Sequence, residues 1–250
     1  MSIWLWVIAP LIGLSLGLFG AGGGMLTVPL LVYGAGLPLK QAIASSLWIV
    51  ACVSLLAALH QRAWRVIRPG LLVFFSVGGI AGSIAGARLG AWINPAVQQA
   101  LFGILLLVVA FWTWTARLHD TPQPAGACHC LAALAVGTGL GILTGLLGVG
   151  GGFLMVPALI ALGISHFPTA VAHSLVLITI NAATSGVTYS GQIPTSPESM
   201  IWVGSLAALG SVVGSGLLKY VPLAPLQRAF SLGLAVLGIA MLLQLKSGVG

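Results

Sequence analysis

The chain has 250 residues, 59% of them hydrophobic and 4% charged, with a mean hydropathy of +1.14 and a formal net charge of +7. A soluble domain carries roughly 25% charged residues, so this chain cannot cover itself with a hydrated surface and belongs in a lipid bilayer. Its nine Lys and Arg residues are scattered over short hydrophilic gaps and form no stripe, which excludes nucleic acid as the partner and marks them as topology signals.

In chain order, residues 3–19 are apolar and long enough to cross most of a bilayer. The absence of a basic stretch before them makes this a retained membrane segment, not a signal peptide. Gly20 to Gly24 break the helix, since each glycine costs about 1 kcal/mol in a helix interior. Residues 25–33 are apolar again and contain Pro29; Gly34, Gly36 and Pro38 turn the chain. Residues 41–59 form a span that ends at His60 and Gln61, and the following gap holds Arg62, Arg65 and Arg68. The span 70–87 carries Gly78, Gly82 and Gly86, with Gly90 just beyond, one glycine every four residues, which makes a close-packing face for another helix. Residues 96–116 span once more and end with Trp112 and Trp114 at interfacial depth. A linker, 117–127, follows; then come 128–147, a second glycine break, 153–162, 169–188, 198–218 and 224–245.

The second set repeats the first. Gly17-Leu18-Phe19-Gly20-Ala21-Gly22-Gly23-Gly24, with Pro29 after it, returns as Gly145-Leu146-Leu147-Gly148-Val149-Gly150-Gly151-Gly152, with Pro157 after it. The offset is 128 residues, and 14 of 31 positions match from Gly17 to Leu47 without a gap. The chain therefore reads as an all-α polytopic membrane protein with 8–10 membrane helices. Its homologous halves are 1–116 and 128–250, and each carries a glycine-broken helical hairpin. If residues 3–40 crossed once, the basic residues would split five to four between the two sides. If they form a hairpin that returns to its starting side, the second half is inverted. Arg62, Arg65, Arg68, Arg117, Lys219 and Arg228 then face Lys40, Arg88 and Lys246 across the membrane. The positive-inside rule favours the inverted arrangement, with both termini outside.

Inverted repeats bring two helix breaks to the midplane, the place where such transporters bind their substrates. Glycines expose backbone N–H groups, and the helices that begin near Met25 and Phe153 offer the positive ends of their dipoles. The natural ligand is a small anion. The candidate binding residues are Gly20, Gly22, Gly23, Gly24, Gly148, Gly150, Gly151 and Gly152. Ser45, Ser46, His173 and Ser174, at the starts of the next long helices, join them, and so does Asn181, eight residues beyond His173. Thr184 and Thr188 extend that face. Tight helix crossing is the competing role for the glycines, but three in a row exceed what crossing requires. A hydroxyl bonded back to its own helix is the competing role for each serine.

An ionisable residue in a membrane segment is a functional candidate, and His173 is the best available proton carrier if protons are coupled, with an ordinary pKa near 6.5. The only acids, Asp120 and Glu198, lie in or beside gaps, so no buried carboxylate can carry sodium or protons. Cys52, Cys128 and Cys130 form no disulfide framework. Cys128-His129-Cys130 cannot point three ligands at one ion from a helix start, so no metal and no cofactor are expected. Gly148 to Gly152 lack the Lys-Ser/Thr of a nucleotide-binding loop, and no hydrolytic triad or zinc-protease pattern supports an enzyme.

At these residues the chain resembles the sulfite exporter TauE/SafE family of membrane permeases. The resemblance is carried by Gly17 to Pro29 with Ser45-Ser46-Leu47, and by Gly145 to Pro157 with Ser174-Leu175. It implies a secondary transporter, usually an exporter, of sulfite, organosulfonates or related small anions in a bacterial-type inner membrane. The alternatives are a transporter or channel for another small solute, such as a carboxylate or metal ion, and a membrane-embedded scaffold.

Overall fold

The structure is a computed structural model that describes residue 10 and residues 13–14, 23–66, 69–115, 130–148, 152–164, 167–195, 197–217 and 223–246. Among the described residues there are helices and short turns and no strand. The helices are α1 (Gly23–Pro29), α2 (Leu39–His60), α3 (Pro69–Trp92), α4 (Pro95–Thr115), α5 (Cys130–Leu147), α6 (Gly152–Ala161), α7 (Phe167–Ser190), α8 (Pro197–Leu217) and α9 (Leu223–Lys246). Three of them open on proline, which has no N–H to lose in a first turn.

Among the described residues five helices, α2, α3, α4, α5 and α7, are long and apolar enough to cross a membrane, and the protein is a multi-pass helical membrane protein. The segments after the glycine breaks are short. α6 has 10 residues and contains Pro157. At 1.5 Å per residue it is about 15 Å long, half of a bilayer core of about 30 Å. α1 contains Pro29 and widens at once into a π-helix, Leu30–Gly34. Proline withdraws one helix donor and crowds the preceding turn, and past Pro29 the regular α pattern gives way.

α2 and α7 are the most buried of the five and form the centre. The gap after α2 keeps Arg62 and Arg65 exposed, while Ala63 is buried in a 3-10 turn, Ala63–Arg65, that packs back against α7. Lys40 Nζ donates to the Ala91 carbonyl at 2.6 Å and so neutralises the carbonyl end of α3.

The glycine ladder of α3 meets α5. Gly78, Gly82 and Gly86 lie on the carbonyls of Leu134, Thr138 and Ile142, and in return Gly141 lies on the Gly79 carbonyl. A Cβ at any of these positions would overlap backbone, which cannot yield as a side chain can. The same seam occurs again: Gly210 lies on the Pro10 carbonyl, Gly214 on that of Leu14, and Gly13 on that of Ala207. A shift of 128 residues converts three of these contacts, those of Gly82, Gly86 and Gly141, into the three of the second seam. Pro10, Gly13 and Leu14 of the first half thus meet α8 of the second half much as α5 of the second meets α3 of the first.

α4 and α9 are also equivalent in the repeat and pack on each other. Gln99 Nε2 donates to the Met241 carbonyl at 3.1 Å, and Ser231 Oγ donates to the Ala110 carbonyl at 3.1 Å. Gly103 packs against Leu242 and Gly238 between them. The numbers rise on α4 as they fall on α9, so the two helices run antiparallel.

Candidate functional site

α5 stops at Gly148. This residue has a φ of 70°, the left-handed region that glycine enters without a Cβ penalty, and its N–H donates to the Thr144 carbonyl at 2.9 Å. A Cβ there would stand 2.8 Å from Ile43 Cγ2 and 3.0 Å from Ser46 Oγ. Ser46 Oγ lies 3.0 Å from the Gly148 carbonyl oxygen and 2.7 Å from that of Ile43, so its one proton is shared between them. Two residues back, the Leu146 carbonyl accepts from Gln98 Nε2 at 2.5 Å, and Tyr189 Oη stands 3.4 Å from the same nitrogen. Gly90 leaves the room in which Tyr189, Leu146 and Gln98 meet.

The carbonyl end of α5 is thus held by two neutral donors from the first half. A helix C-terminus carries partial negative charge, and satisfying it removes a repulsion for any anion nearby. The next helical start, at buried Gly152, presents the opposite end of a dipole. In the first half, Gly23 opens α1 and Gly24 is buried. Gly20, Gly22, Gly150 and Gly151 lie outside the described residues.

Ser45 and Ser46 are the seventh and eighth residues of α2, and His173 and Ser174 hold the same places in α7. All four are fully buried. They sit two turns inside their helices, where the backbone N–H groups are already bonded to the helix. What they offer is therefore side-chain chemistry. Ser174 Oγ donates to the Val171 carbonyl at 2.8 Å. His173 Nδ1 lies 2.8 Å from the Thr169 carbonyl oxygen. Only a protonated nitrogen makes that contact, so Nδ1 carries the hydrogen.

The two serine pairs do not meet. Trp48, two residues beyond Ser46, donates from Nε1 to Ser190 Oγ at 3.1 Å, and its ring packs on Gly186. Gly186 is twelve residues beyond Ser174, about 18 Å along α7. Asn181 lies between these levels and faces Gly79 of α3. It is fully buried, and neither Oδ1 nor Nδ2 has a hydrogen-bond partner. Thr184 and Thr188 bond back to the carbonyls of Ile180 and Thr184. The face that begins at Asn181 is continued by Ser185 and Tyr189, which sequence reasoning passed over together with Gln98 and Ser83. The spacing of four residues from Asn181 is the signal that would have found them. Among the described residues no three His, Cys, Asp or Glu side chains stand together.

The profile of the family described as "Sulfite exporter TauE/SafE" matches residues 5–241, across both glycine segments. The chain belongs to the sulfite exporter TauE/SafE family. A "Probable membrane transporter protein" of Xylella fastidiosa (strain 9a5c) is 31% identical over 154 residues, 60% of this chain and 59% of that protein. The chain thus spans about 59% of the length of that relative. The "Probable membrane transporter protein YunE" of Bacillus subtilis (strain 168) is 26% identical over 219 residues, 76% of this chain and 78% of that protein. "Probable membrane transporter protein YdhB" of the same strain is 28% identical over 244 residues, 93% of this chain and 96% of that protein. No solved structure matches. The TauE/SafE match includes Ser46 and Gly148, the two residues that join the halves at the break.

Proposed function

We propose that this TauE/SafE protein is a secondary membrane transporter that exports small sulfur-containing anions, such as sulfite or organosulfonates. It works by alternating access around the two glycine-rich helix breaks. The observation that carries this reading is the bond from Ser46 to the Gly148 carbonyl, which ties the helix break of one half to a central helix of the other. A break held across the boundary between halves changes its surroundings when the halves move.

The reciprocal glycine seams and the antiparallel course of α4 and α9 support an inverted pair. In such a pair a single rocking motion exchanges the open side. The asymmetry of basic residues supports termini on the outer face and a place in the inner membrane. His173 supplies a proton carrier if export is coupled to protons.

The interior also favours one charge state. Among the described residues no Lys or Arg is buried. The anion is met by backbone N–H groups, hydroxyls and amides. Neutral donors offset the desolvation of one charge far better than of two. Singly charged anions are therefore the favoured class.

Thermal stabilisation of the purified protein tests the reading, with methanesulfonate, sulfite, thiosulfate, sulfate, acetate and divalent metals as ligands. A ligand at 100 times its Kd adds about 2.7 kcal/mol of stability. A shift with sulfite or a sulfonate, lost in a folded Ser46→Ala variant, is expected. A shift with metals alone would overturn it.

A further inference from the structure

We infer that the seam between α3 and α7 is a second contact site for the transported anion, built by Asn181, Ser83 and Ser185 and lying apart from the glycine breaks. The inference rests on the transport reading. All three side chains are fully buried, and Asn181 Oδ1, Asn181 Nδ2, Ser83 Oγ and Ser185 Oγ have no hydrogen-bond partner. Hydroxyl side chains inside membrane helices have an easy escape, the carbonyl three or four residues back. Thr138, Thr144, Thr179, Thr184 and Thr188 all take it. Ser83 and Ser185 do not.

Their placement is ordered. Asn181 stands against Gly79, Tyr189 against Gly90, and the two helices run the same way past each other. One turn beyond Asn181 on α7 is Ser185, and one turn beyond Gly79 on α3 is Ser83. Asn181, Ser185 and Tyr189 thus follow one face of α7 for eight residues, about 12 Å. The line ends where Tyr189 and Gln98 meet the Leu146 carbonyl, two residues from Gly148. Gln98 Oε1 is also buried without a partner. A polar line therefore runs from the middle of α7 to the α5 break.

Buried polar groups without partners are costly, and in hydrocarbon no water relieves them. When α3 and α7 part, a small oxyanion with its accompanying water satisfies them. Its oxygens accept from Asn181 Nδ2 and from both hydroxyls, and the water donates to Asn181 Oδ1. The seam has no cationic side chain, so its ligand class is a singly charged oxyanion such as a short sulfonate.

Thiol labelling in proteoliposomes tests this. Cys52, Cys128 and Cys130 are first replaced by serine, and Ser83→Cys, Ser185→Cys and Val187→Cys are made separately. Val187 is 63% exposed on the outer surface of α7 and serves as the lipid-facing control. The reagent is a small charged methanethiosulfonate. The protectant is methanesulfonate, because sulfite itself attacks such reagents. Ser83→Cys and Ser185→Cys are expected to react at least tenfold faster than Val187→Cys, and methanesulfonate is expected to slow them at least threefold. Reaction no faster than the control, in vesicles that still transport, overturns the seam. Fast reaction that no anion slows overturns the ligand.

A second variant guards against misfolding. Asn181→Leu removes two unpartnered atoms, so it is expected to raise Tm while weakening methanesulfonate binding at least tenfold. Unchanged binding overturns the inference. If acetate protects the seam and no sulfur anion stabilises the parent protein, the sulfur-anion reading falls and the seam stands. If sulfonates stabilise the parent protein but do not protect the seam, the reverse holds.

Discussion

Ser46 Oγ reaches the Gly148 carbonyl oxygen at 3.0 Å across 102 residues of sequence. The carbonyl belongs to a left-handed glycine at the end of α5, and the hydroxyl belongs to the central helix of the other half.

Ser46→Ala leaves a buried carbonyl without its donor and is expected to cost about 1–3 kcal/mol. Gly148→Ala adds left-handed strain of about 1–2 kcal/mol and a collision with Ile43, so it is expected to cost more. Thermal unfolding in detergent gives the order. A Gly148→Ala variant as stable as Ser46→Ala would contradict the contact described.

Gly82→Leu and Gly210→Leu stand at equivalent places in the two reciprocal seams. Each forces a side chain into a carbonyl, and both are expected to abolish the folded protein to a similar degree. Gly139 and Gly233 have nothing within 4 Å of an added Cβ. Substitution there by alanine is expected to be neutral or to stabilise by up to about 1 kcal/mol, because alanine is the better helix former. Size-exclusion profiles of the four variants separate the two classes.

Binding is expected to favour methanesulfonate over sulfate by at least tenfold, since among the described residues no Lys or Arg lies buried to meet a second charge. For sulfite the same reasoning gives a pH dependence that belongs to the ligand. Affinity falls as pH rises through its second ionisation and the dianion replaces the monoanion. Equal affinity for sulfate and methanesulfonate would rule out the charge argument.

His173→Gln keeps an N–H near the Thr169 carbonyl but cannot carry a proton. If export is proton-coupled, this variant is expected to bind sulfonates normally and to lose acceleration by a pH gradient. Flux measured in vesicles with and without an imposed gradient reads this directly. Acceleration that survives would remove His173 from any coupling role.

The sequence by itself determined that the protein lives in lipid, because 4% charged residues cannot hydrate a surface of this size. It also determined where the long helices α2, α3, α4, α5 and α7 lie, and that the chain breaks between α5 and α6. Apolar runs, glycine triplets and prolines act within a few residues, and local rules suffice for them. The duplication was equally legible, as was the close-packing role of Gly78, Gly82 and Gly86. Their partner was not: a glycine ladder announces a close approach without saying to what. The tertiary structure decided that α5 of the other half fills it, and that Ser46 lies beside Gly148 while Ser174 lies far along α7. Only packing could leave Asn181, Ser83 and Ser185 buried together without partners. Hydrogen-bond satisfaction depends on neighbours more than a hundred residues away, and a single helical pattern carries no record of them.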